Sequence, residues 1–76
     1  MGGVMLDTQI CEAVRRLRED VGLTQLDVRR KLGLTKSAYS NLETGIRNLK
    51  AAELLKLLEW YGVSLEEFQA YGELDI

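Results

Sequence analysis

The sequence predicts an all-α domain, a compact bundle of five short helices. Apolar residues recur at helical spacing along the whole chain, and no alternation of polar and apolar residues runs long enough for a strand. Serine, threonine and glycine punctuate the chain at intervals suited to helix caps and stops. With 76 residues the chain has room for one domain around one small core. We read that core region as about residues 8–71, with a short tail at 72–76. No repeat, low-complexity tract or linker interrupts it.

The first helix is expected over residues 8–21. Ile10, Val14, Leu17 and Val21 follow one another at spacings of 4, 3 and 4, which aligns them in one apolar stripe. Asp7 or Thr8 caps its start, and Gly22 takes the left-handed closing position. The second helix starts after Thr24, with Asp27 three residues on as the acid of a capping box, and stops at Gly33. Val28 and Leu32 point inward.

Only Gly33 and Leu34 precede Thr35, the cap of a third helix at about residues 36–43. Its buried side holds Ala38, Tyr39 and Leu42, while Lys36, Ser37, Ser40 and Asn41 gather on one exposed polar face. The fourth helix, about residues 51–61, stacks Leu54, Leu55, Leu57 and Leu58 before Gly62. The fifth opens with the capping box Ser64 to Glu67 in "SLEEF".

The composition excludes several function classes. Histidine and proline are absent and Cys11 is the single thiol, so a histidine general base, a Cys/His metal cluster and a disulfide framework are ruled out. Cys11 reads as a small apolar residue, buried or half-buried. Glu66 and Glu67 are adjacent and cannot face one another on a helix, so they make no catalytic pair. The expectation is therefore no enzyme, no metal, no cofactor and no small-molecule ligand. The start "MGGVML" lacks the features of a secretion signal, and no window approaches the roughly 18 apolar residues of a membrane span. These readings predict a soluble, cytoplasmic protein with no membrane partner.

The net charge of −2 hides a strong segregation. Residues 15–50 carry nine basic groups against four acids, whereas from Ala51 onward six acids accompany Lys56 alone. A basic middle between acidic ends suits a polyanion on one face and repels it from another.

The stretch "GLTQLDVRRKLGLTKSAYSNLETG" then acquires a purpose. Neither of its two helices is long enough to stand alone in water. Joined by a tight glycine corner, they form the signature of a helix-turn-helix, whose first helix braces the second at a steep angle. That angle lets the polar face of the third helix enter a DNA major groove.

The same residues resemble the phage-repressor-like helix-turn-helix domain, the XRE or Cro family. The resemblance spans about Ile10 to Phe68 through "VRRLREDVGLTQLDVRRKLGLTKSAYSNLETGIRN" and "LLKLLEWYGVSLEEF". It implies a lambda-repressor-like, five-helix DNA-binding domain of a transcriptional regulator, usually dimeric on a palindromic operator. Matched by position, it implies base reading by Lys36, Ser37 and Asn41, with Ser40 beside them on the same face. Thr24 and Gln25 match positions that present the start of the second helix to a phosphate. Arg47 and Asn48 match a loop on the sugar-phosphate backbone, to which we add Thr35 and Lys50. Arg18 and Glu43 match a pair that bridges the first helix to the end of the third.

Three positions depart from the pattern. Arg29 stands where relatives place alanine, so its long side chain must lie sideways with its head in solvent, or the helix angle must open. Leu49 and Lys50 replace a usual proline and capping serine, which points to a fourth helix beginning as early as Asn48. Tyr39 replaces an aliphatic residue, and its hydroxyl needs a partner or water.

The expected function is sequence-specific binding of double-stranded DNA by a transcriptional regulator, as a homodimer. The rival is a protein-interaction module of the same fold, such as an antitoxin-like subunit. Trp60, Tyr61, Phe68, Tyr71, Leu74 and Ile76 crowd the C-terminal third with large apolar side chains. Phe68 is expected inward; Tyr71, Leu74 and Ile76 lack obvious cover and are assigned to the dimer interface.

Overall fold

A computed structural model describes residues 6–73. Five helices follow in order: α1 (Asp7–Val21), α2 (Gln25–Leu32), α3 (Lys36–Glu43), α4 (Ala51–Tyr61) and α5 (Leu65–Gly72). Among the described residues there is no strand, as expected.

The caps show how local chemistry cuts the chain. Thr24, Thr35 and Ser64 each have an extended backbone, and their hydroxyls accept the N–H of Asp27, Ala38 and Glu67 at 3.2, 3.1 and 3.1 Å. Each hydroxyl thereby satisfies a donor that the first helical turn leaves without a partner. Asp27 and Glu67 return the bond to the backbone N–H of Thr24 and Ser64, completing two capping boxes. Gly33 closes α2 at φ +71°, in the left-handed region. There the chain reverses its curl and starts α3 three residues later.

The expected cap of α1 is corrected, and α4 keeps its expected start near residue 51 without the suggested earlier one. Neither Asp7 nor Thr8 caps α1; Leu6 precedes the helix, and the Gln9 side-chain carbonyl accepts the Leu6 N–H at 2.8 Å. The fourth helix does not reach back to Asn48. It begins at Ala51, because the Glu53 carboxylate accepts the Lys50 N–H at 2.9 Å and supplies the cap that a side chain at Lys50 cannot.

Cys11, Ala13, Val14, Leu17, Val28, Leu32, Tyr39, Leu42, Leu57 and Phe68 form a single buried core drawn from all five helices. Val28, Leu32, Tyr39 and Leu42 are there as expected, Cys11 is buried and Phe68 is inside, whereas Ala38, also expected inward, is only half-buried. Val21, at the last position of α1, is 51% exposed rather than part of the stripe. Leu55 is 66% exposed: on a 3.6-residue period it falls past Leu54 on the side away from Leu57, so it cannot share their face.

α5 is packed against α1, and two polar contacts fix its end. Arg16 donates to the Tyr71 carbonyl at 3.1 Å, and the Tyr71 hydroxyl donates to Asp20 at 2.6 Å. Tyr71 is therefore half-buried inside α5 and packed on the core, which corrects the expectation that it lacks intramolecular cover. Leu74 and Ile76 lie outside the described residues.

A Cβ placed on Gly33 would meet nothing within 4 Å, so any penalty for a larger residue there is purely conformational. Gly33→Ala should destabilise the fold by about 1 kcal/mol, and Gly33→Asn by clearly less, since asparagine tolerates the left-handed region. Urea unfolding midpoints of the two variants check the order.

Candidate nucleic-acid interface

The turn between α2 and α3 is held from behind by one buried carboxylate. Glu43, the last residue of α3, has a side chain only 3% exposed. Arg18 of α1 grips it with two nitrogens, Nε to Oε2 at 2.7 Å and Nη2 to Oε1 at 3.1 Å. The Gln25 side-chain amide donates to Oε1 at 2.9 Å, and the Tyr39 hydroxyl donates to Oε2. Arg18 also donates through Nη1 to the Leu23 carbonyl at 2.9 Å, so the loop before α2 is tied to the same cluster. Four donors on one carboxylate satisfy a charge that burial would otherwise make costly.

Burial by itself would push the Glu43 carboxyl upward. The hydrogen bonds from Arg18, Tyr39 and Gln25, with the Arg18 charge, outweigh it and hold the group below its ordinary value of 4.5. The Tyr39 hydroxyl moves the other way, pushed far up by burial and by its bond to Glu43. It has the partner the sequence required. The structure thus brings Arg18 and Glu43 together as expected, but as a buried cluster rather than a solvated pair. It adds Tyr39 and Gln25, which sequence spacing alone did not connect to Glu43.

Beyond that cluster, the front of α3 faces solvent. Lys36, Ser37, Ser40 and Asn41 are all exposed. Among the described residues none of their side chains forms a hydrogen bond or ion pair within the chain. Their backbone does structural work: the Asn41 carbonyl accepts the N–H of Ile46 at 2.9 Å and of Arg47 at 3.0 Å. The loop after α3 is folded back onto the helix in this way. Cys11 fixes its far side, donating Sγ–H to the Arg47 carbonyl at 3.6 Å.

The residues assigned to the DNA backbone divide into two groups. Thr35, Asn48 and Lys50 are exposed at the edges of α3 and α4. Thr24 is exposed too, but its hydroxyl both caps α2 and donates to Asp27 at 2.9 Å. The Gln25 side-chain amide is bound to Glu43, leaving the backbone start of α2 as its contribution to an outer surface. The Arg47 guanidinium reaches Glu53 through Nη1 at 2.9 Å and Nη2 at 2.8 Å, so a carboxylate of α4 already offsets its charge.

Pairing redraws the charge map. Arg15 and Arg16 meet Glu12, Arg15 also meets Glu19, Arg18 meets Glu43 and Arg47 meets Glu53. Among the described residues, the basic groups of the middle segment without a carboxylate in ion-pair range are Arg29, Arg30, Lys31, Lys36 and Lys50. Lys31 lies over the Trp60 ring, 5.5 Å from its centre. The uncompensated positive charge therefore sits on α2 and at the starts of α3 and α4, on and around the turn.

A helix-turn-helix family model matches residues 14–68. The chain belongs to this family of phage-repressor-like helix-turn-helix domains. It is a DNA-binding domain of the kind found in transcription regulators, and its family is not one of enzymes. One curated relative, glutamine–fructose-6-phosphate aminotransferase (isomerizing) of Methanocaldococcus jannaschii, is 35% identical over 63 residues. That match covers 82% of this chain but spans only 6% of the enzyme's length. No solved structure matches the chain. Among the described residues no helix is long and apolar enough to cross a membrane, and no group of potential metal ligands is present.

Because the Glu43 carboxyl is held low in the folded protein, its stabilising contribution is complete above pH 4.5 and is lost as pH falls through the depressed value. Wild-type stability should hold from neutral pH down to that region and then drop. Glu43→Gln should cost about 3 to 5 kcal/mol at neutral pH, by leaving Arg18 without its buried counter-charge and only the exposed Glu19 at 3.8 Å, and should flatten the acid dependence. Urea unfolding across pH for both proteins checks the sign.

Proposed function

We propose that the chain is a sequence-specific transcriptional regulator that lays α3 in the DNA major groove and works as a homodimer on a palindromic operator. The observation that carries this reading is the division of α3. Its inner face is locked to α1 and α2 through Tyr39, Leu42 and Glu43, while Lys36, Ser37, Ser40 and Asn41 stand together on the exposed side. Asn41 suits the paired donor and acceptor of adenine, Lys36 suits guanine O6 and N7, and Ser37 and Ser40 serve either. Phosphates are met by Lys50, Asn48 and Thr35, and by the backbone amides at the start of α2 beside Thr24 and Gln25. Arg47, already paired with Glu53, contributes less to this than its charge suggests.

Selection of fragments from a random DNA pool supplies the operator and tests the reading. On the selected sequence Asn41→Ala should cost about 1 to 3 kcal/mol and relax preference at one position, with binding to random duplex nearly unchanged. An equal loss on every sequence would move Asn41 to the backbone.

The dimer is assigned to the C-terminal third, where Leu55, Trp60 and Leu65 are the exposed large apolar side chains among the described residues. Leu55→Glu should retain its helical circular dichroism yet sediment as a monomer at micromolar concentration. A dimer of unchanged affinity would place the interface elsewhere.

A further inference from the structure

Between the first turn of α2 and the start of α3 lies a depression of about 260 Å³, lined by Gln25, Leu26, Arg29, Lys36 and Tyr39. Its lining is mainly apolar, yet two of its residues are cations. Arg29 is half-buried, and among the described residues it has neither a carboxylate nor a hydrogen-bond acceptor. It stands apart from Arg15, Arg16, Arg18 and Arg47, each of which the fold supplies with a carboxylate. A half-buried arginine left without a counter-charge favours an anion from outside. Lys36, exposed and likewise without an ion pair, borders the same depression. Leu26, 40% exposed, offers apolar surface between them.

Two cations around an apolar floor match a ligand that alternates anion and apolar ring. We infer that this depression seats one deoxyribose-phosphate unit of a DNA strand, with the phosphate held by Arg29 and the sugar resting on Leu26, while Lys36 at the rim adds positive potential and keeps its ammonium for the bases. The inference rests on the DNA-binding reading above and extends it to Arg29, which belongs to neither the base-reading nor the phosphate-contacting set. The departure at residue 29 then has a use: the side chain lines the depression between α2 and α3.

A backbone contact is blind to sequence and appears in the salt dependence of affinity. Binding of wild type, Arg29→Ala, Arg29→Lys and Lys56→Ala to the selected operator and to a random-sequence duplex would be measured over a salt series. Circular dichroism would confirm folding of each variant. Arg29→Ala should weaken both duplexes by the same factor and reduce the slope of log affinity against log salt by about 0.9. Arg29→Lys should keep most of the slope, and Lys56→Ala, an exposed cation on α4, should leave it unchanged. An unchanged slope in Arg29→Ala overturns the inference, as does a loss confined to the operator, which would make the depression a base-reading pocket. An equal loss in Lys56→Ala overturns it too, by reducing the effect to net charge. A wild type that binds both duplexes equally would defeat the sequence-specific reading while leaving the Arg29 result standing.

Discussion

The carboxylate of Glu43 is the constraint on which the rest of the structure depends. It sits where α1, α2 and α3 converge and receives hydrogen bonds from all three, two from Arg18 and one each from Gln25 and Tyr39. A buried charge tolerates little displacement, because losing one good hydrogen bond in a water-poor site leaves a large desolvation cost uncovered. Apolar packing alone would hold α3 against the core while allowing it to slide or roll. The fan of bonds at Glu43 removes that freedom at the end of the helix, and the Thr35 cap defines the other end. What reaches the outer surface is a short helix with its axis and rotation both set.

Much of this could be read from the sequence, for a physical reason. The caps at Thr24, Thr35 and Ser64 and the stops at Gly22, Gly33 and Gly62 are local events, decided by residues within four positions of one another. Core positions of the two short helices follow from periodicity alone. The bond from Gln25 to Glu43, the clasp of Arg47 on Glu53 and the tie from Tyr71 to Asp20 were not legible. They join residues that only the folded packing brings together. Leu55 was misplaced because four leucines within five positions span more of the helix than one core face accepts. The start of α4 near Ala51 was legible; the suggested shift back to Asn48 came from attending to the missing oxygen at Lys50 and not to the carboxylate at Glu53, which caps from inside the helix.

Pairing also changes what the basic middle means. Counted along the sequence, it is a broad band of positive charge; in the fold, much of the arginine content is turned into structure. Arg18 and Arg47 secure helices to loops, and Arg15 and Arg16 brace the surface of α1. The charge of this segment that remains unanswered lies on α2 and at the starts of α3 and α4, next to the helix whose orientation Glu43 defines.

The exposed face of α3 has one more consequence. Asn41 holds the following loop through its backbone carbonyl and not through its side chain, and Lys36, Ser37 and Ser40 likewise bring no side-chain bond to the fold. Stability and recognition therefore draw on separate atoms of the same helix. In the base-reading role proposed for them, drift at these four positions rewrites which base pairs are preferred without first finding compensating changes in the core, subject only to the mild helix preferences of exposed sites. The scaffold is in that sense a holder with interchangeable type, and duplicated copies could diverge in specificity while remaining equally well folded.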